Sequence, residues 1–132
     1  MAGLGFMFHG FPKLFDSGYR EGFVEMLMAM GLPNAELLAW VVAVVEFVGG
    51  LAILLGIAIH FASMLLTIDM LVALYKVHWQ WGFNFMHVSK SGTGQTIFGM
   101  PGYEVNLLYI AILLTLMITG PGKLALFRKA KR

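Results

Sequence analysis

The stretch ELLAWVVAVVEFVGGLAILLGI, residues 36 to 57, decides how this chain folds. It is apolar apart from its first residue and Glu46. A helix rises about 1.5 Å per residue and a bilayer's hydrocarbon core is about 30 Å thick, so a run of this length can cross it. The run does not alternate apolar and polar residues as a barrel strand does. A helix is therefore expected, with a carboxyl group near its middle.

Composition extends that reading to the whole chain. Of 132 residues, 59% are hydrophobic and 12% charged, and mean hydropathy is +0.81. A soluble domain carries about a quarter charged residues to cover its surface. This chain has about half that, so most of its surface must face something other than water. The length suits one domain, residues 1–132. There is no cysteine, which excludes disulfides, thiolate metal sites, iron–sulfur ligation and any CxxC pair. A net charge of +2 is too small to argue for nucleic acid, and none is expected as a partner.

Outward from the opening run, three more spans are expected, at about 2–16, 59–77 and 103–120. The fold class is thus all-α, a transmembrane four-helix bundle that satisfies its backbone internally. The first segment reaches only about 21 Å and is read as a short or truncated first span. It lacks the basic start and small-residue cleavage site of a signal peptide. Between the first two spans, Phe23, Met26, Leu27 and Met30 recur at helical spacing before Gly31, Pro33 and Asn34 stop the pattern. They predict a short interfacial helix. The connection 78–102 is long and polar in its middle, and Trp79 and Trp81 suit a headgroup belt. Its GTGQTIFG is no phosphate loop, because the Lys-Ser/Thr ending is missing.

The tail, 121–132, carries Lys123, Arg128, Lys129, Lys131 and Arg132 and no acid. The positive-inside rule places it, and with four spans the N-terminus too, in the cytoplasm of a cell-membrane protein. Such a tail can also bind anionic lipid.

Ionisable groups at membrane depth are costly and usually functional. A charged, unpaired Glu46 costs about 2.5–3.5 kcal/mol, so it must protonate, pair or face a wet cavity. Gly49, Gly50 and Gly56 lie near its face and let another helix approach, which turns the carboxyl into the bundle. His9 and Lys13 share a helix face at i, i+4 and are the candidate partners. A His–Glu hydrogen bond and an ion pair are both open, and Lys13 also suits an interface anchor that snorkels. Asp69 is expected to bond to another helix, since Lys76 is about 10 Å along the axis. His60, His78 and His87 match no standard ligand spacing, so neither metal nor haem is expected.

Four segments together resemble the DoxX family of small membrane proteins over nearly the whole chain. HGFPKLF, from His9, is similar to its His-Gly-x-x-Lys signature. MGLPNAELLAWVVAVVEFVGGLAILLGI, from Met30, resembles its Gly-Leu-Pro connection and glutamate-bearing second span. MLVALYKVHWQWGFNF, from Met70, and GYEVNLLYIAILLTLMITGPG, from Gly102, resemble its third and fourth. The matching positions are His9, Gly10, Lys13, Glu46, Gly49, Gly50, His78 and Glu104; Asp69 falls outside the pattern. The family usually has a longer first span. The resemblance implies a four-helix membrane bundle associated with oxidoreductase systems that use quinones and sulfur compounds.

Two functions follow as expectations. In the first, the chain is a membrane oxidoreductase subunit that binds quinone or quinol. His9 and Lys13 donate hydrogen bonds, and Glu46 handles the proton. Trp79, Trp81 and Phe83 flank the ring, with His78 and Glu104 as further cofactor-binding positions. Having no cysteine, it needs a partner redox protein to hold electrons. In the second, it is a non-catalytic anchor or assembly partner for a soluble enzyme. A permease is a third, weaker reading without an inverted repeat, although a homo-oligomer could serve.

Overall fold

The computed structural model describes residues 1–84, 88–90, 92–99 and 101–120. Five helices carry the fold: α1 Ala2–Phe15, α2 Ser17–Ala29, α3 Ala35–Leu55, α4 Ile59–Ala73 and α5 Glu104–Thr119. α4 runs on through a π turn, Leu74–His78, and a 3-10 turn, Trp79–Trp81. Two three-residue strands, β1 Val88–Lys90 and β2 Thr96–Phe98, pair antiparallel within the last connection. His87 and the basic tail lie outside the described residues.

The helix ends follow local chemistry. Asp16 caps α2, its Oδ1 accepting from the Tyr19 amide at 3.1 Å. Arg20 turns back and donates to the Lys13 and Leu14 carbonyls at 3.4 and 3.3 Å, which satisfies the end of α1. α2 and α3 both end on left-handed glycines, Gly31 and Gly56. Each ending closes with a bond five residues back, Leu32 to Leu27 and Ile57 to Ala52. Gly56 therefore serves as the cap of α3.

Side chains are arranged with large apolar groups outward. Leu4, Phe8, Phe11 and Phe15 form an exposed stripe on α1. Leu37, Val41, Val44 and Val48 do so on α3, and Phe61, Met64, Ile68 and Leu71 on α4. The inward stripes are small or polar except for Phe6: Gly3, Phe6, Gly10 and Lys13 on α1; Ala35, Ala39, Ala43, Glu46 and Gly50 on α3. Water would not tolerate three contiguous apolar stripes of this kind, whereas lipid favours them outward and small residues at the helix contacts. Two segments, Ala35–Leu55 and Ile59–Trp81, are long and apolar enough to cross a membrane, and Glu104–Thr119 is a shorter apolar helix.

The helices close a ring. α1 lies along α3, α3 along α4, and α4 along α5. Phe6 meets Tyr109 edge-on at 4.9 Å and so joins α5 back to α1. Phe6, Leu66 and Leu113 form the buried core of that ring. α2 lies across α1 and α3, with Leu27 packed among Ala35 and Ala39. The α1–α3 seam is the most extensive helix contact, and backbones meet closely along it. A methyl group at Gly50 would sit 2.6 Å from the Gly3 carbonyl oxygen and 2.9 Å from the Met7 amide nitrogen.

Gly50→Leu is expected to lower the thermal midpoint of the detergent-solubilised protein sharply, because overpacking costs about 1–3 kcal/mol or more. Gly22, on α2 with open space around it, should accept alanine with an unchanged or slightly raised midpoint. Fluorescence-detected size-exclusion melts of the two variants check both.

Candidate functional site

Gly10 and Ala43 set the geometry of the site. A methyl group at Gly10 would lie 2.6 Å from the Phe47 amide nitrogen, 2.9 Å from the Ala43 carbonyl oxygen and 3.0 Å from Glu46 Cβ. The bare glycine lets α1 press onto α3 one turn before Lys13. Lys13 then reaches Glu46, with Nζ donating to Oε2 at 2.6 Å. Both residues are buried, at 8% and 5% exposure. The Lys13 ammonium also lies 4.3 Å from the Phe23 ring centroid, so α2 covers it with an aromatic face. Lys13 is thus no snorkelling anchor.

The pair forms part of the wall of a cavity of about 670 Å³ among all five helices. Its polar lining includes His9, Asp69, Asn106, Lys76 and His78, with apolar surface between them. Gly18, Tyr19 and Gly22 of α2 form part of one wall, and Pro101 lies at the end where the last connection returns. The volume is ordinary for a small-molecule site.

His9 departs from expectation. It is exposed at the cavity wall, its ring edge-on to Phe8 at 6.5 Å, and no hydrogen bond joins it to Glu46 among the described residues. The buried stripe of α1 runs through Gly10 and Lys13. One residue back is about 100° of rotation, which turns His9 away from α3. Glu46 is satisfied by Lys13 instead.

Asp69 also departs. Its Oδ2 is buried without a partner among the described residues, where a bond to another helix was expected. Asn106, which sequence reasoning did not single out, is buried on α5 and donates weakly to the Met70 sulfur at 3.8 Å. A polar amide in an apolar helix was the signal available. Tyr109 was missed too; its hydroxyl presses on Gly5, where a side chain would collide.

The aromatic residues expected around a ring do other work. Trp79 stacks on Tyr103 at 5.5 Å, and Phe83 meets Tyr103 edge-on at 5.7 Å. Together they clasp the start of α5 to the end of α4. Tyr103 donates its amide to the Gly82 carbonyl at 3.0 Å and Gly102 to Asn84 at 2.9 Å. His78 Nδ1 donates to the Pro101 carbonyl at 2.6 Å. Of Trp79, Trp81, Phe83, His78 and Glu104, only His78 lines the cavity. Trp79 and Trp81 lie in the closing 3-10 turn and Phe83 just past Gly82, at the level of the clasp and not on the wall.

The donors fit a neutral ligand with oxygen functions. Lys13 is already neutralised by Glu46, so an anion gains little. The Asn106 amide and His9 can donate, and Asp69 can accept.

Comparison with known proteins gives a family and nothing closer. The family model described as DoxX matches residues 1–79, which take in Lys13, Glu46 and Asp69. No curated protein and no solved structure matches the chain.

Lys13→Met is expected to destabilise the fold by about 3–5 kcal/mol, because it strands a buried carboxylate. Adding Glu46→Leu should restore part of that loss. A double-mutant cycle of unfolding free energies reads the coupling, and additive effects would show the two groups to be independent.

Proposed function

The chain belongs to the DoxX family, and from that premise we propose that it is a cell-membrane protein whose cavity binds a quinone or quinol headgroup, in support of a partner redox protein. In this reading α1 and α5 span alongside α3 and α4. At 14 and 16 residues they are shorter than the usual 17–25. The exposed phenylalanine stripe of α1 and the ring contact of α5 with α1 support the assignment. Both termini face the cytoplasm, as the basic tail requires. The cavity lies toward the end of the bundle that holds α2 and the last connection, so it faces the outer leaflet.

One observation carries the reading: a half-open hollow of about 670 Å³, mostly apolar, with a buried ion pair and an unpartnered carboxylate oxygen on its wall. A site for a lipid-soluble ring with polar oxygens needs both kinds of surface. A bound quinone supplies two-electron, two-proton chemistry. The chain's residues would handle orientation and protons. Asn106 and His9 donate to ring oxygens, the Phe23 face and the Val42 and Val105 side chains contact the ring, and Glu46 holds or releases a proton against Lys13. Electrons come from the partner, since the chain has no cysteine to ligate an electron-storing cluster.

The test is solvent extraction of protein purified from membranes, with quinones identified by absorbance and mass. Wild type should yield quinone near stoichiometry. Glu46→Gln, which keeps a hydrogen bond to Lys13, should retain the fold and lose most of it, and His9→Ala should lose a part. If no quinone is extracted and none binds on addition, the cavity reading fails and a ligand-free anchor for a soluble enzyme takes its place.

A further inference from the structure

We infer that Asp69 is the residue by which the cavity discriminates among its ligands: its Oδ2 accepts a hydrogen bond from a hydroxyl, so the site favours the hydroxyl-bearing hydroquinone over the quinone. This rests on the quinone reading above and extends it to one oxidation state.

The argument starts from an unbalanced inventory. Two carboxylates line the cavity beside a single buried ammonium, that of Lys13. Lys13 is committed to Glu46 at 2.6 Å. Lys76 is exposed, with its ammonium toward the Tyr75 ring at 6.0 Å, and no ion pair links it to Asp69 among the described residues. Asp69 Oδ2 is left buried and without a hydrogen bond. A buried oxygen in that condition costs free energy comparable to a lost hydrogen bond, so its partner must come from outside the described chain.

Position separates this oxygen from another with no partner. Ser63 Oγ is equally orphaned but does not line the cavity, so a ligand there cannot reach it. Asp69 does line it. Beside it, Met70 takes the weak bond from Asn106. The amide can exchange that sulfur for a better acceptor at little cost. The wall thus offers an unused acceptor and an under-used donor together. A quinone's carbonyl oxygens can only accept, so it uses the donor and leaves Asp69 unsatisfied. A hydroquinone presents O–H groups that donate to Asp69 and oxygens that accept from Asn106, and uses both. Giving a partner to a buried oxygen that otherwise has none removes a penalty that corresponds to about tenfold or more in affinity.

The experiment uses the full chain in lipid nanodiscs and three probes of one ring: a short-chain benzoquinone, its hydroquinone under inert gas, and the hydroquinone's dimethyl ether. Titration calorimetry reads each affinity. Wild type should bind the hydroquinone about tenfold or more tighter than either other probe. Asp69→Leu should erase that preference and leave quinone affinity nearly unchanged. Asp69→Asn, which keeps an acceptor oxygen, should retain part of the preference. Equal preference in wild type and Asp69→Leu overturns the inference and leaves a bound water as the oxygen's partner. Equal loss of quinone and hydroquinone in a folded Asp69→Leu also overturns it, since Asp69 then shapes the cavity without discriminating. If wild type binds none of the probes, the quinone reading itself fails and this inference falls with it. Binding without discrimination sinks the inference alone.

Discussion

Everything in this fold turns on the ion pair between Lys13 and Glu46. A carboxylate in the middle of an apolar helix has few stable arrangements, and direct contact with an ammonium is one of them. That contact requires two helix axes to come close. Gly3 and Gly10 on one side and Gly50 on the other remove the side chains that would keep them apart. The pair and the glycines therefore act together. The glycines bring the helices to the distance the pair needs, and the pair repays the burial of its own charges. Their joint effect sets the rotation of α1 about its axis. That rotation sends Leu4, Phe8, Phe11 and Phe15 outward and leaves His9 at the lip of the cavity.

The same constraint makes the cavity. With α1 held against α3, the space toward α4 and α5 is bounded by Asp69, Met70 and Asn106 and closed across one side by α2. α2 is fastened at its start: Asp16 caps it, and Arg20 binds the end of α1 and lies 4.3 Å over the Trp40 ring. A cation on an aromatic face fastens the assembly at two places: Lys13 on Phe23 ties α1 to α2, and Arg20 on Trp40 ties that hairpin to α3. On the opposite side, the clasp of Trp79, Phe83 and Tyr103 ties α5 to the end of α4. The molecule reads as two fastened helix pairs with the polar hollow between them.

Much of this was legible in the chain. Apolar runs with glycine and proline between them placed every long helix to within a few residues, because the 3.6-residue period and the bilayer thickness leave little freedom. Phe23, Met26, Leu27 and Met30 announced α2. Glu46 and Lys13 stood out because charge inside an apolar run demands an explanation. His9 misled, since i, i+4 spacing says that two residues share a broad face and not which of them points at the neighbour. Trp79 and Phe83 pack on Tyr103, a contact that was not legible because aromatic residues near a membrane suit a ring site and a loop clasp equally. Asn106 was overlooked because one amide in an apolar helix has no periodicity to mark it.

What the sequence by itself determined was the solvent and the lengths: an apolar chain with few charges must sit in lipid, and its runs must be helices, because lipid offers no partner for a bare backbone. What only the tertiary structure decided was which polar groups meet. Lys13 satisfies Glu46 while Asp69 goes without, and the difference lies in a few tens of degrees of helix rotation fixed by glycine contacts between segments far apart in the chain. Spacing along one helix carries no information about the neighbour's rotation, so those partnerships exist only in the packed bundle.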